Sequence, residues 1–277
     1  DYREVLSLLP YRELIFTGPI DQYFDARPGR SGTIVSRRGG FLEHAECFDA
    51  SFFGIHPHEA LAMHPAQRLL LEVAWDAMED AGQVPGRQRC AGTFLGLQST
   101  DYAARVAEPD LFAMLGASAH AAVGRLARAL YLQGPAVAVD TDRSSSLVAV
   151  HLACACLRLR ECELALAGGA NLITSPAMSI AMSRAGALSP DGRCKFGDAR
   201  GDGFVRSEGV AVVVLKRLAC AERDGDRIWA VIRGSAVNSN ADTASDLVAP
   251  SRSAQIALLR LAHARAGVAS CELEYVE

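Results

Sequence analysis

The run Gly134-Pro135-Ala136-Val137-Ala138-Val139-Asp140-Thr141-Asp142-Arg143-Ser144-Ser145-Ser146-Leu147-Val148-Ala149-Val150-His151 decides the fold of this chain. Four apolar residues of strand character, Ala136–Val139, lead into a polar turn, and apolar positions then recur at helical spacing from Ser145 to Arg160. A buried strand that passes through a tight turn into a helix lifts the turn's side chains to the helix N-terminus. There the N–H groups without intrahelical partners, together with the macrodipole, stabilise an anion. A nucleophile at such a point has a lowered pKa, which suits covalent chemistry. The same residues also read as three serines, Ser144, Ser145 and Ser146, capping a helix after a core strand. Spacing leaves both readings open.

Outward from this run, helical and strand patterns alternate. Pro65–Ala81 carries a wide apolar stripe (Leu69, Leu70, Val73, Ala74, Ala77, Ala81), with Pro65 suited to the first helical position and Gly82 to the stop. His64 stands where Asp or Ser would cap better. Helices are also predicted over Ala117–Leu130 and Ser253–Ala266. Strands are predicted over Thr93–Leu97, over Leu164–Ala167 closed by Gly168-Gly169, and over Val210–Leu215. A strand at Ile228–Gly234 would pair with the last of these as a hairpin around Asp224-Gly225-Asp226. Continuous Val/Ala/Leu strands between helices imply an α/β class, a layered sheet covered on both faces.

Composition narrows the function. The 277 residues are half hydrophobic and 22% charged, with a net charge of −4. A mildly acidic chain without a Lys/Arg block offers little to nucleic acid or an anionic membrane surface. No stretch reaches the roughly 18 apolar residues of a membrane span. The eight cysteines are scattered without a C-x-x-C pair, which fits reduced thiols in a cytoplasmic protein. His56-Pro57-His58-Glu59 with His64 could suggest a metal site, but no supporting carboxylate pattern accompanies it, so these read as solvated loop residues and no metal is expected. Gly201-x-Gly203 and Gly168-Gly169 lack the strand–Gly-x-Gly-x-x-Gly–helix setting of a nucleotide site.

The segment at 134–151 closely resembles the nucleophile motif of the β-ketoacyl synthases (ketosynthases) of polyketide synthases, Val-Asp-Thr-Ala-Cys-Ser-Ser-Ser-Leu-Val-Ala-Val-His. Further blocks resemble the family in its own order. They include Phe48-Asp49-Ala50-Ser51-Phe52-Phe53-Gly54-Ile55, Gln67-Arg68-Leu69-Leu70-Leu71-Glu72, Ala165-Leu166-Ala167-Gly168-Gly169-Ala170-Asn171, Leu188-Ser189-Pro190-Asp191-Gly192-Arg193-Cys194-Lys195, Asp202-Gly203-Phe204-Val205-Arg206-Ser207-Glu208-Gly209 and Ile232-Arg233-Gly234-Ser235-Ala236-Val237-Asn238. The resemblance implies a thiolase-like layered α/β/α fold, of which this chain is the N-terminal half of a duplicated pair. It assigns 21–277 to a β-ketoacyl synthase N-terminal domain truncated before the catalytic histidines, and leaves 1–20 unassigned. It implies decarboxylative condensation of thioesters carried on the phosphopantetheine of an acyl carrier protein, with no bound cofactor. The partners it implies are that carrier protein and a second ketosynthase, in a homodimer or heterodimer.

The decisive departure is Arg143, which stands where the family has its nucleophilic cysteine. A guanidinium stays protonated and has no lone pair with which to form a thioester. It also puts a cation at the positive end of a helix, unfavourable by roughly 0.3–1 kcal/mol. The expectation is a chain inactive in condensation, with two alternatives: a non-catalytic dimerisation partner or scaffold, or a degenerate gene remnant. Ser144, one residue on, lacks an identifiable base. His151, eight positions on, reads as a helix-packing residue. Lys195-Phe196-Gly197-Asp198 replaces the family's Lys-x-Phe-Asp, so the aromatic has moved by one position.

Overall fold

The structure is a computed structural model that describes residues 11–13, 23–27, 29–87, 90–98, 102, 110–240 and 250–276. The chain divides into two compact units, one formed by residues 1–73, 99–122 and 169–211, the other by 74–98, 123–168 and 212–277.

In the first unit, strand β1 (Tyr11–Glu13) pairs antiparallel with β2 (Arg38–Gly40), so the segment left unassigned by the sequence contributes a short strand. Helix α1 (Pro57–Ala62) occupies the stretch expected to be a solvated loop. Pro57 fits the first turn because its missing N–H would have no intrahelical partner there. The His56 ring nitrogen Nδ1 accepts the His58 N–H at 3.2 Å and serves as the cap. His64 repeats the device before helix α2 (Pro65–Asp80), its Nδ1 accepting the Ala66 N–H at 3.0 Å. An imidazole thus does the capping that Asp or Ser would ordinarily do. Gln67, on the first turns of α2, is buried, and its amide lies 2.7–3.1 Å from the carbonyls of Leu115, Gly116 and Ser118. Those carbonyls end helix α3 (Leu111–Ala117), where the last C=O groups lack intrahelical donors.

The second unit is built on a sheet of order β4-β3-β5-β6. Its strands are β3 (Ala91–Gly96), β4 (Ala136–Val139), β5 (Leu164–Asn171) and β6 (Gly209–Lys216). β3 and β4 run parallel, with Thr93 opposite Ala136 and Gly96 opposite Val139. Among the described residues β4 is an edge strand, with Ala136 exposed and only Val139 buried, where the sequence pattern predicts a wholly buried strand. Between β3 and β4 lies helix α4 (Ala119–Ala129), and β4 feeds helix α5 (Ser145–Leu159). Ala149, Ala153, Cys156 and Leu157 of α5 bury against Phe94, Val139, Cys162, Ala165 and Ala167. Two small residues one turn apart, Ala149 and Ala153, let the helix lie close to the sheet.

Two expectations change here. β5 does not stop at Gly168-Gly169 but continues to Asn171, because glycine weakens a ladder without ending it. The hairpin around Asp224-Gly225-Asp226 is absent: Leu218–Asp224 forms helix α7, which follows helix α6 (Ala177–Arg184) and closes on Gly225 in the left-handed conformation that glycine adopts freely. Asp224 and Asp226 fold back onto Lys216 of β6, at 2.6 and 2.5 Å. Among the described residues Ile228–Gly234 has no strand pairing, and helix α8 (Arg252–Ala266) follows, capped by Ser251 and ended by Gly267. All eight cysteines are free thiols. Cys156 and Cys162 bring their sulfurs within 3.0 Å in the core, and burial, reinforced by the hydrogen bond from Cys156, pushes the Cys162 thiol up to about 12.

Candidate functional site

The turn between β4 and α5 is set by the sheet beneath it. Gly96 ends β3 directly under the first turn of α5. A Cβ at that position would lie 2.4 Å from Ser146 N and 2.5 Å from Ser145 C, so only hydrogen fits. The turn is then tied by its own polar groups. Asp142 has φ 55°, a left-handed conformation that Asp tolerates better than most residues, and its N–H reaches Asp140 Oδ1 at 3.2 Å. Thr141 N–H donates to Ser145 Oγ at 2.9 Å, and Ser145 Oγ–H donates to the Asp142 carbonyl at 2.6 Å. The Ser144 hydroxyl lies 2.9 Å from both Thr141 O and Thr141 Oγ1. Gln98, just past β3, sets its amide 3.4 Å from the Asp142 carboxylate.

This wiring separates the two readings of the turn. The Ser144 hydroxyl bonds backwards into the turn and makes no cap bond to α5, and Ser145 is buried as a stitch across the turn. The serines therefore hold the turn rather than terminate the helix. Residue 143 is exposed in the turn, as are Thr141, Asp142 and Ser144, just before α5 and beside the positive end of the macrodipole. The arrangement suits an anion or a thiolate, and Arg143 occupies it.

The histidines lie elsewhere. Nδ1 of His151 is 2.8 Å from Ser235 Oγ, and burial together with the nearby Arg265 and Arg158 lowers its pKa. His151 lies two helical turns beyond residue 143, roughly 12 Å along the axis. His56 and His64 are caps, and His58 packs edge-on to Phe112.

In the first unit, the Leu188–Lys195 block closes around Lys195. Its Nζ lies 2.6 Å from Asp202, 3.0 Å from Asp191 and 3.3 Å from Ser189 Oγ. The Asp202 bond raises the lysine pKa and Lys195 lowers that of Asp202, so the ammonium is held charged as a local clasp. The aromatic displaced by one position, Phe196, is 91% exposed. Gln98, Gly96 and Ser235 were not singled out from the sequence. For Gly96 the signal was a glycine ending a strand where another backbone approaches; the other two are brought in by folding alone.

Comparison with known proteins agrees with this geometry. The family model for the N-terminal domain of β-ketoacyl synthases matches residues 7–221, and the chain belongs to that family. One phenolphthiocerol/phthiocerol polyketide synthase polypeptide of Mycobacterium tuberculosis is 50% identical over 263 residues, which cover 93% of this chain and 14% of that protein. A second polypeptide of that synthase, from the same organism, is 50% identical over 265 residues, covering 92% and 14%. Among solved structures, the oxazolomycin ketosynthase domain of Streptomyces albus superposes with a TM-score of 0.90 at 33% identity, over all of this chain and 50% of that one. The ketosynthase from module 6 of the bacillaene synthase of Bacillus subtilis gives 0.84 at 35%, over 96% and 46%. The fold is therefore thiolase-like. The chain spans about one seventh of the polyketide synthase polypeptides and about half of the solved ketosynthase chains. Among the described residues, no helix is long and apolar enough to cross a membrane.

Proposed function

We propose that this chain is the nucleophile-bearing part of a polyketide synthase ketosynthase domain in which the nucleophile position is disabled. The observation that carries the reading is Arg143, exposed in the turn just before α5 on a strand–turn–helix that the chain otherwise builds in full. In the family, a cysteine at this point accepts an acyl group and passes it to a carbanion formed by decarboxylation of an extender unit. Thioester exchange requires a lone pair on the residue at the helix start, and a guanidinium has none to give. Ser144 does not replace it, because its hydroxyl is engaged by Thr141.

The substrates in this reading are thioesters on the phosphopantetheine of an acyl carrier protein, presented in the cytoplasm, and no cofactor takes part. Incubation with a radiolabelled acyl thioester leaves the protein unlabelled; stoichiometric covalent label overturns the reading. A non-catalytic role beside an intact ketosynthase has its own support in β4, an edge strand with one side unpaired among the described residues and free to extend a sheet across a dimer. Co-purification with an intact ketosynthase as a heterodimer favours that role, and a strict monomer argues against it.

A further inference from the structure

The loop after β2 brings three different metal-binding donors together, and the geometry points to a zinc-type cation site formed by His44, Glu46 and Cys47. One imidazole nitrogen, one carboxylate oxygen and one thiol sulfur lie within 4.8 Å of one another, all exposed. These residues have no motif spacing that marks them in the sequence, where His56, His58 and His64 stand out instead.

The backbone holds the three in place. His44 takes a left-handed φ of 57°, and the Cys47 N–H closes the turn onto the His44 carbonyl at 2.9 Å. The loop is fastened to α2 at two points one helical turn apart. Arg68 donates from Nη1 to the Glu46 carbonyl at 3.0 Å, and Glu72 accepts the Asp49 N–H at 3.2 Å. Asp49 in turn accepts from Ser51 Oγ and Phe52 N, which fixes the chain leaving the loop.

The donor set selects the ion. Thiolate and imidazole favour zinc and similar borderline metals over magnesium or calcium, which prefer all-oxygen shells. Zinc bonds of about 2.0–2.3 Å in a tetrahedron place neighbouring donors roughly 3.3–3.7 Å apart. Exposed side chains reach that spacing by rotation, closing about 1 Å. A thiolate and a carboxylate balance the two charges of the ion, and the imidazole stays neutral. Binding therefore releases the thiol proton, and three protein donors leave the fourth position to water.

The test is titration of the reduced chain with cobalt(II), followed by competition with zinc. One equivalent of cobalt is expected to bind with a thiolate-to-metal charge-transfer band. Cys47→Ser abolishes the band, and His44→Ala and Glu46→Gln raise the dissociation constant by at least about tenfold, as changes one shell further out already do. In the unaltered chain, zinc is expected to slow alkylation of Cys47 but not of Cys194, which is also exposed, as read by peptide mass spectrometry; this does not depend on any variant folding. A band that survives Cys47→Ser, unchanged affinity in His44→Ala, or equal alkylation of Cys47 with and without zinc overturns the site.

Discussion

The position of the turn depends on Gly96 more than on any residue in the turn itself, and the substitution Gly96→Ala measures that dependence. A methyl group there would meet three backbone atoms of α5: Ser146 N at 2.4 Å, Ser145 C at 2.5 Å and Ser146 Cα at 2.8 Å. Carbon contacts are comfortable at about 3.5 Å, so the first turn of α5 must retreat by about 1 Å. Overpacking of this kind costs about 1–3 kcal/mol, and because backbone cannot rotate away as a side chain can, the upper end applies. Gly124→Ala, inside α4, is the control. Its new methyl group has nothing within 4 Å, so the variant gains about 0.5–1 kcal/mol from helix propensity alone. The same chemical change is thus expected to shift stability in opposite directions, with a gap of about 3.5–4 kcal/mol between the variants. Urea unfolding followed by circular dichroism reads the gap as separated midpoints at equal slope. A Gly96→Ala midpoint within about 0.5 kcal/mol of the unaltered chain would refute the close-approach argument.

Two further outcomes are expected. Gln67→Ala strips the amide from the carbonyls ending α3 and lowers stability by about 1–3 kcal/mol; urea midpoints check this, and a neutral effect would mean water replaces the amide. Asp224 is held at about 2, below its ordinary 3.8, chiefly by Arg223 and then by Lys216. A carboxylate with a lowered folded pKa stabilises above its unfolded value and loses that contribution as pH falls through the folded one. The stability difference between the unaltered chain and Lys216→Met should therefore shrink from about pH 5 to about pH 2, and a constant difference across that range contradicts the pairing.

Much of the second unit was legible in the sequence because its signals are local. Val139 and Ser145 mark the strand end and helix start within six residues, and α5 follows the predicted range to within one residue. Ile228–Gly234 misled because a short apolar run signals burial, and strand character follows only where the run is covered and paired. Trp229 and Val231 are instead exposed, with the Trp229 indole N–H 3.0 Å from Asp80. The helix at Leu218–Asp224 was hidden by the Asp-Gly-Asp turn signal, since a left-handed glycine ends helices as readily as it makes hairpins. The caps from His56 and His64 lie outside the usual Ser/Asp pattern and show only once the rings are placed. At the site, Arg143 was legible because the flanking motif fixes its position. Gln98, which reaches Asp142 from 44 residues away in the chain, carries no local signal at all.

The most direct measurement is intact-mass analysis of the protein and of Arg143→Cys after exposure to a small acyl thioester. The unaltered chain is expected to keep its mass, while the variant gains one acyl group on the new thiol, made reactive by the start of α5. An acyl group found on the unaltered turn, or a variant that stays bare at position 143 while its other exposed cysteines react, would contradict the assignment.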